Sequence, residues 1–252
     1  MVLMGVGASL AVGLAGCLGD DCGELEPGAD LSGCDLTDEE SLAGIDLSGA
    51  DLTEADLSGV DLSGADLSGA TLRNTVFVEA DLTEADLSET DARNANFAYA
   101  TASHSTFTNA DLTEARIEAT VFVEANLDGA NLSQVWGRED AWEYYGVNSA
   151  PPRHTPDFTD ASMRDATLNG ALLTGATLDG ADISGSEAEG VHFFRASLVD
   201  MTAHDVRFYR SDMRAISDSG ADYYGADLEG ASYQSFGRCP DETCAGNAWT
   251  PE

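Results

Sequence analysis

The chain has 252 residues, enough for one large domain or two small ones, and 43% of them are hydrophobic, so a buried core can form. Against 46 Asp and Glu stand 11 basic residues, all of them Arg, for a formal net charge of -35. A surface of that sign repels DNA, RNA and anionic lipid headgroups, which excludes direct nucleic-acid binding through a basic patch.

Residues Val2 to Leu18 are apolar or small and carry no charge, and they are too few to span a bilayer comfortably. They contain Leu14-Ala15-Gly16-Cys17, which resembles the lipobox of prokaryotic lipoproteins. The resemblance implies a signal segment over 1–17, cleavage before Cys17 and a lipid on its sulfur. Signal segments begin with basic residues and none precedes this apolar run, so the leader is expected to start further upstream. With Cys17 set aside, four cysteines remain. Cys22 and Cys34 lie just before the main body, and Cys239 and Cys244 just after it. Two local disulfides in an oxidising compartment are the preferred reading, because a single C-x4-C pair is a weak zinc signature.

From Leu47 a large apolar residue recurs every fifth position: Leu52, Leu57, Leu62, Leu67 and onward to Leu132, with Ala92 and Ala102 as the exceptions. Two residues before each lies Ala or another small residue. Asp or Asn sits between the two, and Ser-Gly or Thr-Glu follows. In an extended segment alternate side chains face opposite ways. The small residue and the large one therefore point in and Asp points out. The two polar residues that follow break the alternation and form a corner, where Gly supplies positive φ. One such unit cannot bury its Leu, whereas stacked units can. Residues 18–44 read as a linker and an irregular N-terminal cap, set off from the first run (45–134) by a one-residue insertion within "TDEESLAG".

Residues 135–155 break the period with Trp136, Trp142, Tyr144, Tyr145 and prolines. Insertions at repeat corners often carry binding, so these four aromatics are candidates for contact with a protein partner, or else rings that pack back on the adjacent coil. A second run (156–234) starts in a new frame at Phe158 and passes through Leu168, Phe193 and Phe208. At Asp218 the step would bury a charge, so Ile216 is expected to fill that position with a local distortion. Residues 235–252 read as a C-terminal cap.

The units "ADLSG", "ADLTE" and "ANLDG" resemble the pentapeptide-repeat family, whose pattern is Ala-Asp/Asn-Leu-x-x. The resemblance implies an all-β fold, a right-handed quadrilateral β-helix with four units per coil. The two runs then make about eight to nine coils, a rod on the order of 40 Å long. Its core stack is expected to include Leu47, Leu67, Leu87, Phe107, Leu127, Leu168, Phe193 and Phe208. On a 20-residue coil, His192 stacks beside Asp212, and Glu187, Arg207 and Asp227 share a column.

No nucleophile motif, phosphate loop or zinc signature is present, so no catalytic residue, metal or cofactor is expected. The absence of Lys and the abundance of carboxylates resemble proteins of salt-loving archaea. The expected role is a non-enzymatic scaffold for an unknown protein partner, held at the outer face of the cell membrane by the lipid on Cys17. The alternative is a cytoplasmic DNA mimic that binds a type II topoisomerase, DNA gyrase, as some pentapeptide-repeat proteins do. The sequence leaves the oligomeric state open.

Overall fold

In the computed structural model the described residues are 22–39, 41–137 and 154–234. Asp46 pairs in parallel with Asp66, Asp66 with Asp86, Asp51 with Thr71 and Thr71 with Asp91. Each partner lies 20 residues further on, so four five-residue units make one coil and the wall has four sides. We number the sides by their inward columns. Face I runs through Leu72, Ala92 and Leu112, face II through Phe77, Phe97 and Ile117, face III through Leu82, Ala102 and Phe122, and face IV through Leu67, Leu87 and Phe107. Most of the wall is single bridges between coils. Two three-residue strands, β1 (Asp212–Arg214) and β2 (Ser232–Gln234), form the one parallel pair long enough to rank as a sheet among the described residues.

The hydrogen bonds account for each N–H position of the repeat, taken over one unit and its neighbours. In the unit Ile45–Gly49, the Leu47 N–H donates to Asp66 O at 2.7 Å in the next coil, and Gly49 donates to Ser68 O at 2.8 Å. Asp66 donates back to Ile45 O at 2.8 Å, and Ala50 closes the corner onto Leu47 O at 3.0 Å. The remaining N–H, on Ser48, is taken by the Asp46 side chain, whose Oδ1 lies 3.1 Å away. The corner is thus a type II turn, which requires positive φ at its third residue. Gly49 and Gly64 meet this at φ 67° and 64°. Glu54, Glu79 and Glu84 adopt φ of 60–61° at the same corner position, a strained conformation for a residue with a Cβ.

The interior is a single column of apolar side chains, and all eight core residues named from the sequence are fully buried. The coil that holds Ala92 and Ala102 explains why those positions are small. Phe97 and Phe107, on opposite faces, meet edge to face across the axis with centroids 5.9 Å apart, and the two alanines give them room. Large residues on one pair of sides are balanced by small residues on the other, which keeps the packing dense. Phe77 stacks on Phe97 with centroids 5.0 Å apart. Where Thr or Ser replaces the inward Ala, the hydroxyl bonds a core-facing carbonyl, as Thr75 Oγ1 does with Leu52 O at 2.7 Å.

The interruption leaves the stack intact. Val121 pairs with Asp157 and Trp136 with Leu172, 36 residues apart, so 16 residues are added at one corner. Phe122 and Phe158 stack across it, centroids 5.0 Å apart. The wall continues through Gly137, whose N–H donates to Leu172 O at 2.9 Å. Trp136 therefore belongs to the outside of face II, not to the insertion where the sequence reading placed it. Its neighbour Gly137 takes an inward position, and a Cβ there would lie 2.8 Å from Leu172 O and 3.0 Å from Pro156 Cγ. Pro156 thus fills the space that a core side chain occupies elsewhere. Towards the N-terminus, Asp30 pairs with Asp51 and Asp35 with Asp56, 21 residues apart, which places one extra residue in that coil. Cys34, 3% exposed, sits at an inward position of this coil and is disulfide-bonded to Cys22.

One expectation is overturned. The register runs on undistorted past Asp218, since Ser197 pairs with Ser217 and Thr202 with Asp222. Asp218, at 7% exposure, takes the large inward position and Ile216 the small one beside it. The repeated backbone bonds of two adjoining coils hold the frame, so one unfavourable side chain does not shift it.

Two outcomes test this packing. Ala102→Leu should cost about 1–3 kcal/mol by overpacking against Phe97 and Phe107. Phe107→Ala should cost about 3–5 kcal/mol. The double variant should lose less than the two single losses combined, as read by chemical denaturation, because the introduced leucine side chain would enter the vacated space. At the corner, Gly64→Ala should cost about 1 kcal/mol from its backbone conformation alone, since its new Cβ would meet no atom within 4 Å.

Candidate interaction surfaces

Function in a filled rod has to lie on its outside. Three kinds of outward feature stand out: columns of carboxylates, a few guanidinium clamps, and one side that lacks most of its carboxylates.

The carboxylate columns come first. Asp46, Asp66 and Asp86 stand one above another on face IV. Each is placed by its own corner: Asp46 Oδ1 accepts from the Ser48 hydroxyl at 2.7 Å as well as from its N–H. Hydrogen bonds from the following Ser or Thr, hydroxyl first and backbone N–H second, hold the carboxyls of Asp30, Asp35, Asp46 and Asp61 below the usual range. The sequence reading took these aspartates only as solvated exterior. Their capping role was signalled by the Ser or Thr two residues later, the pattern of an Asx turn. Asn does the same work: Asn96 Oδ1 accepts from the Ala98 N–H at 3.1 Å. In three units with Ser or Glu in the Asp place, an oxygen from the preceding coil substitutes. Asp128 caps the Arg164 N–H at 3.0 Å, Asp179 caps Val199 at 3.0 Å and Asn169 caps Glu189 at 2.8 Å.

Arginines are clamped onto some of these acids. Arg93 holds Asp91 through two bonds, Nε to Oδ1 at 2.7 Å and Nη2 to Oδ2 at 2.8 Å, and Arg73 Nε reaches Asp91 Oδ2 at 2.7 Å. The Arg93 hydrogen bond, with Arg73 adding to it, holds the Asp91 carboxyl far below its ordinary value. At Asp128 partial burial opposes ionisation, but Arg164, the Ser162 hydroxyl and the Arg164 N–H outweigh it and the pKa falls. His192 does stand beside Asp212, and Glu187, Arg207 and Asp227 share a column. The Arg207–Glu187 contact is 3.9 Å between largely exposed groups, a pair that contributes little.

Face II differs from the others. Its outward column reads Asp35, Asp56, Val76, Asn96, Arg116, Trp136, Leu172, His192, Asp212, so Asp stands at both ends and at none of the six rows between. Trp136 is 42% exposed, and Leu172, next in the column, and Phe194, one coil further on, are half-buried. The Arg195 and Arg214 guanidiniums lie over the Phe194 ring, 5.1 and 5.6 Å from its centre. Of the four aromatics proposed as partner contacts, Trp136 is on this wall. Trp142, Tyr144 and Tyr145 lie outside the described residues, as do Cys17, Cys239 and Cys244. Among the described residues no group of three or more His, Cys, Asp or Glu is arranged to hold a metal ion.

A four-sided stack of five-residue units, each closed by a type II corner, defines a β-helical solenoid. The chain belongs to the pentapeptide-repeat family: the family pattern, described as pentapeptide repeats, matches in eight copies over residues 41–69, 61–98, 75–114, 95–134 and 157–194. No curated protein matches the chain. Among solved structures it is similar to a trypsin-treated variant of QnrB1, a plasmid-mediated fluoroquinolone resistance protein, at 20% identity over 75% of this chain and 87% of that one, with a TM-score of 0.58. A second trypsin-treated QnrB1 variant gives 19% identity, 75% and 89% coverage and a TM-score of 0.55. HetL, a pentapeptide repeat protein of the cyanobacterium Nostoc sp. strain PCC 7120 involved in heterocyst differentiation regulation, is 25% identical over 77% of this chain and 89% of its own, with a TM-score of 0.35. At these identities the QnrB1 likeness is one of fold.

The corner caps have a pH signature. A carboxyl whose folded pKa is lowered adds stability above its unfolded pKa, near pH 4, and loses it as pH falls through the lower folded value. Asp46→Ala should lower the melting temperature at neutral pH, whereas Asp46→Asn, which keeps a capping oxygen, should stay close to the parent. Below about pH 4 the parent should lose stability relative to Asp46→Asn. A parent–Asn difference that is flat from neutral pH into acid would remove the carboxylate from the account.

Proposed function

We propose that the protein is a non-enzymatic, strongly acidic interaction scaffold at the outer face of the cell membrane, tethered by a lipid on Cys17. In this reading it is a right-handed, four-sided rod of eight to nine coils that carries no cofactor and displays its outer faces to a protein partner. The observation that carries the reading is the Cys22–Cys34 disulfide, which ties the segment after the lipobox-like Leu14–Cys17 to the first coil of the wall. Disulfides persist in oxidising compartments and are rare in the cytosol, so this pairing favours export. Insertions at a single corner, such as the one after Gly137, suit partner contact without disturbing the stack.

A second reading rests on a different observation, the likeness of fold to QnrB1, a fluoroquinolone resistance protein. With a formal charge of -35 the rod would act as a mimic of duplex DNA towards a type II topoisomerase in the cytoplasm.

Fractionation of cells that express the native chain or Cys17→Ser decides the first reading. The native protein should sediment with membranes, and Cys17→Ser should be released from them. An identical soluble cytoplasmic distribution for both would sink it. Mass spectrometry without reduction should find Cys22 joined to Cys34 in the exported protein. For the second reading the measurement is gyrase supercoiling, where no inhibition and no protection at micromolar protein would end it.

A further inference from the structure

The -35 charge is not spread evenly over the four sides. Between Val76 and Ala215 the described positions of face II outside the core carry three carboxylates, Glu79, Asp212 and a Glu118 that is 6% exposed and held by Arg116, and three guanidiniums, Arg116, Arg195 and Arg214. Over the same coils face III carries seven carboxylates and no Arg: Asp81, Glu84, Glu124, Asp157, Asp160, Asp179 and Asp200. Face II has given up the corner-capping Asp at Val76, Arg116, Trp136, Leu172 and His192, and face III has done so at Thr101, Val121, Thr177 and Ser197. The loss of the cap is common to both faces, but only face II puts Trp, Leu and Phe outside, and an exposed apolar strip marks a contact surface.

We infer that face II is a self-association surface, through which two copies of this chain pack side by side and antiparallel. The inference does not depend on where the protein resides. Charge selects the occupant. Two copies of a body this acidic repel each other wherever carboxylate columns meet, and face II is the side where the signs balance. The arrangement of the face also matches its own reverse. Trp136 lies three coils from Val76 and three from Asp212. A two-fold axis at the Trp136 row therefore sets Glu79 beside Arg214 of the second copy, and Tyr99 beside Arg195 of the second copy, an ion pair and a cation–π contact. Trp136 sits at the centre, where anchor residues contribute most, with Leu172 one coil and Phe194 two coils away.

The size of the surface sets the strength. Seven coils at about 4.8 Å and three residues at about 3.3 Å give a strip of about 30 Å by 10 Å. That is a few hundred Å² from each copy, below the roughly 800 Å² of a standard interface, so the dimer is weak and concentration-dependent. Salt should strengthen it. The Debye length falls from about 10 Å at 0.1 M to about 3 Å at 1 M, which removes the net repulsion and leaves the apolar contact.

Sedimentation equilibrium on the full chain tests this. At about 1 M NaCl the average mass should climb towards twice the monomer with concentration, and at about 0.1 M the dissociation constant should be at least tenfold weaker. Leu172→Glu with Phe194→Glu should leave a monomer of unchanged circular dichroism. Val121→Glu with Val123→Glu, the same change on face III, should leave the dimer intact. A charge exchange covers the case in which the face II pair fails to fold: Glu79→Arg and Arg214→Glu should each weaken association about tenfold, and the double exchange should restore it. A monomer at every concentration and salt, as expected if the chain's own insertion covers the face, overturns the inference. So does a dimer that the face II pair leaves unchanged, one that both Glu pairs abolish equally, or a double exchange that restores nothing.

Discussion

One N–H in every five governs this molecule. Four of the five backbone donors in a unit find carbonyl partners in the corner or in a neighbouring coil. The fifth, on the residue after the inward Leu, points where no carbonyl lies, and it is met by an Asp or Asn oxygen two residues upstream, as between Ser48 and Asp46. Backbone donors left without a partner are costly, so a wall that repeats this unit must repeat the solution. The Asp in "Ala-Asp-Leu" is therefore as much a part of the turn as the Gly that follows, and it ties an apparently decorative surface residue to the geometry of the corner. The substitutions by Asp128, Asp179 and Asn169 make the same point, because each supplies the missing oxygen from the coil before.

Once the corners are fixed, the sides are free to differ. The interior tolerates variation only in matched sets, as Phe97 and Phe107 show with Ala92 and Ala102. The exterior has no such constraint, and each face becomes an independent column of residues spaced 20 apart. Face IV keeps its aspartates in line, face I collects the Arg73–Asp91–Arg93 clamp, and face II sheds its acids in favour of Trp136, Leu172 and Phe194. Such a rod carries up to four separate surfaces on one scaffold. A change on one face leaves the backbone bonds of the other three untouched.

The period, the inward and outward positions, and the column of Glu187, Arg207 and Asp227 were all legible in the sequence, because each follows from spacing alone. The role of the capping Asp was not, because an outward polar residue needs no explanation until the donor beneath it is counted. Asp218 was misread for a physical reason: the cost of one buried acid was weighed against nothing, whereas the bonds of two whole coils oppose any shift. Trp136 was assigned to the insertion because the apolar period ends there, yet the period ends only because Gly137 has no side chain and Pro156 fills its place. Face II was hidden by the 16 added residues, which separate Trp136 from Leu172 in the sequence while leaving them adjacent on the wall.

The acidity also admits a sharper argument. The corner asks for an oxygen acceptor, and Asn96, Asn126 and Asn131 show that a neutral amide satisfies it. Nothing in the backbone geometry then requires a charge at these places. The preference for Asp over Asn along faces I, III and IV is a property chosen for the exterior, whether for solubility in high salt or for holding off other acidic bodies. Faces II and III keep neither the amide nor the acid at most rows, and they differ in what stands there: Val76, Arg116, Trp136 and Leu172 on one, Thr101, Val121, Thr177 and Ser197 on the other. A fold indifferent to both choices leaves the distribution of charge to be set by what each face meets. Between Val76 and Ala215 face III carries seven carboxylates and no Arg, while face II carries three of each.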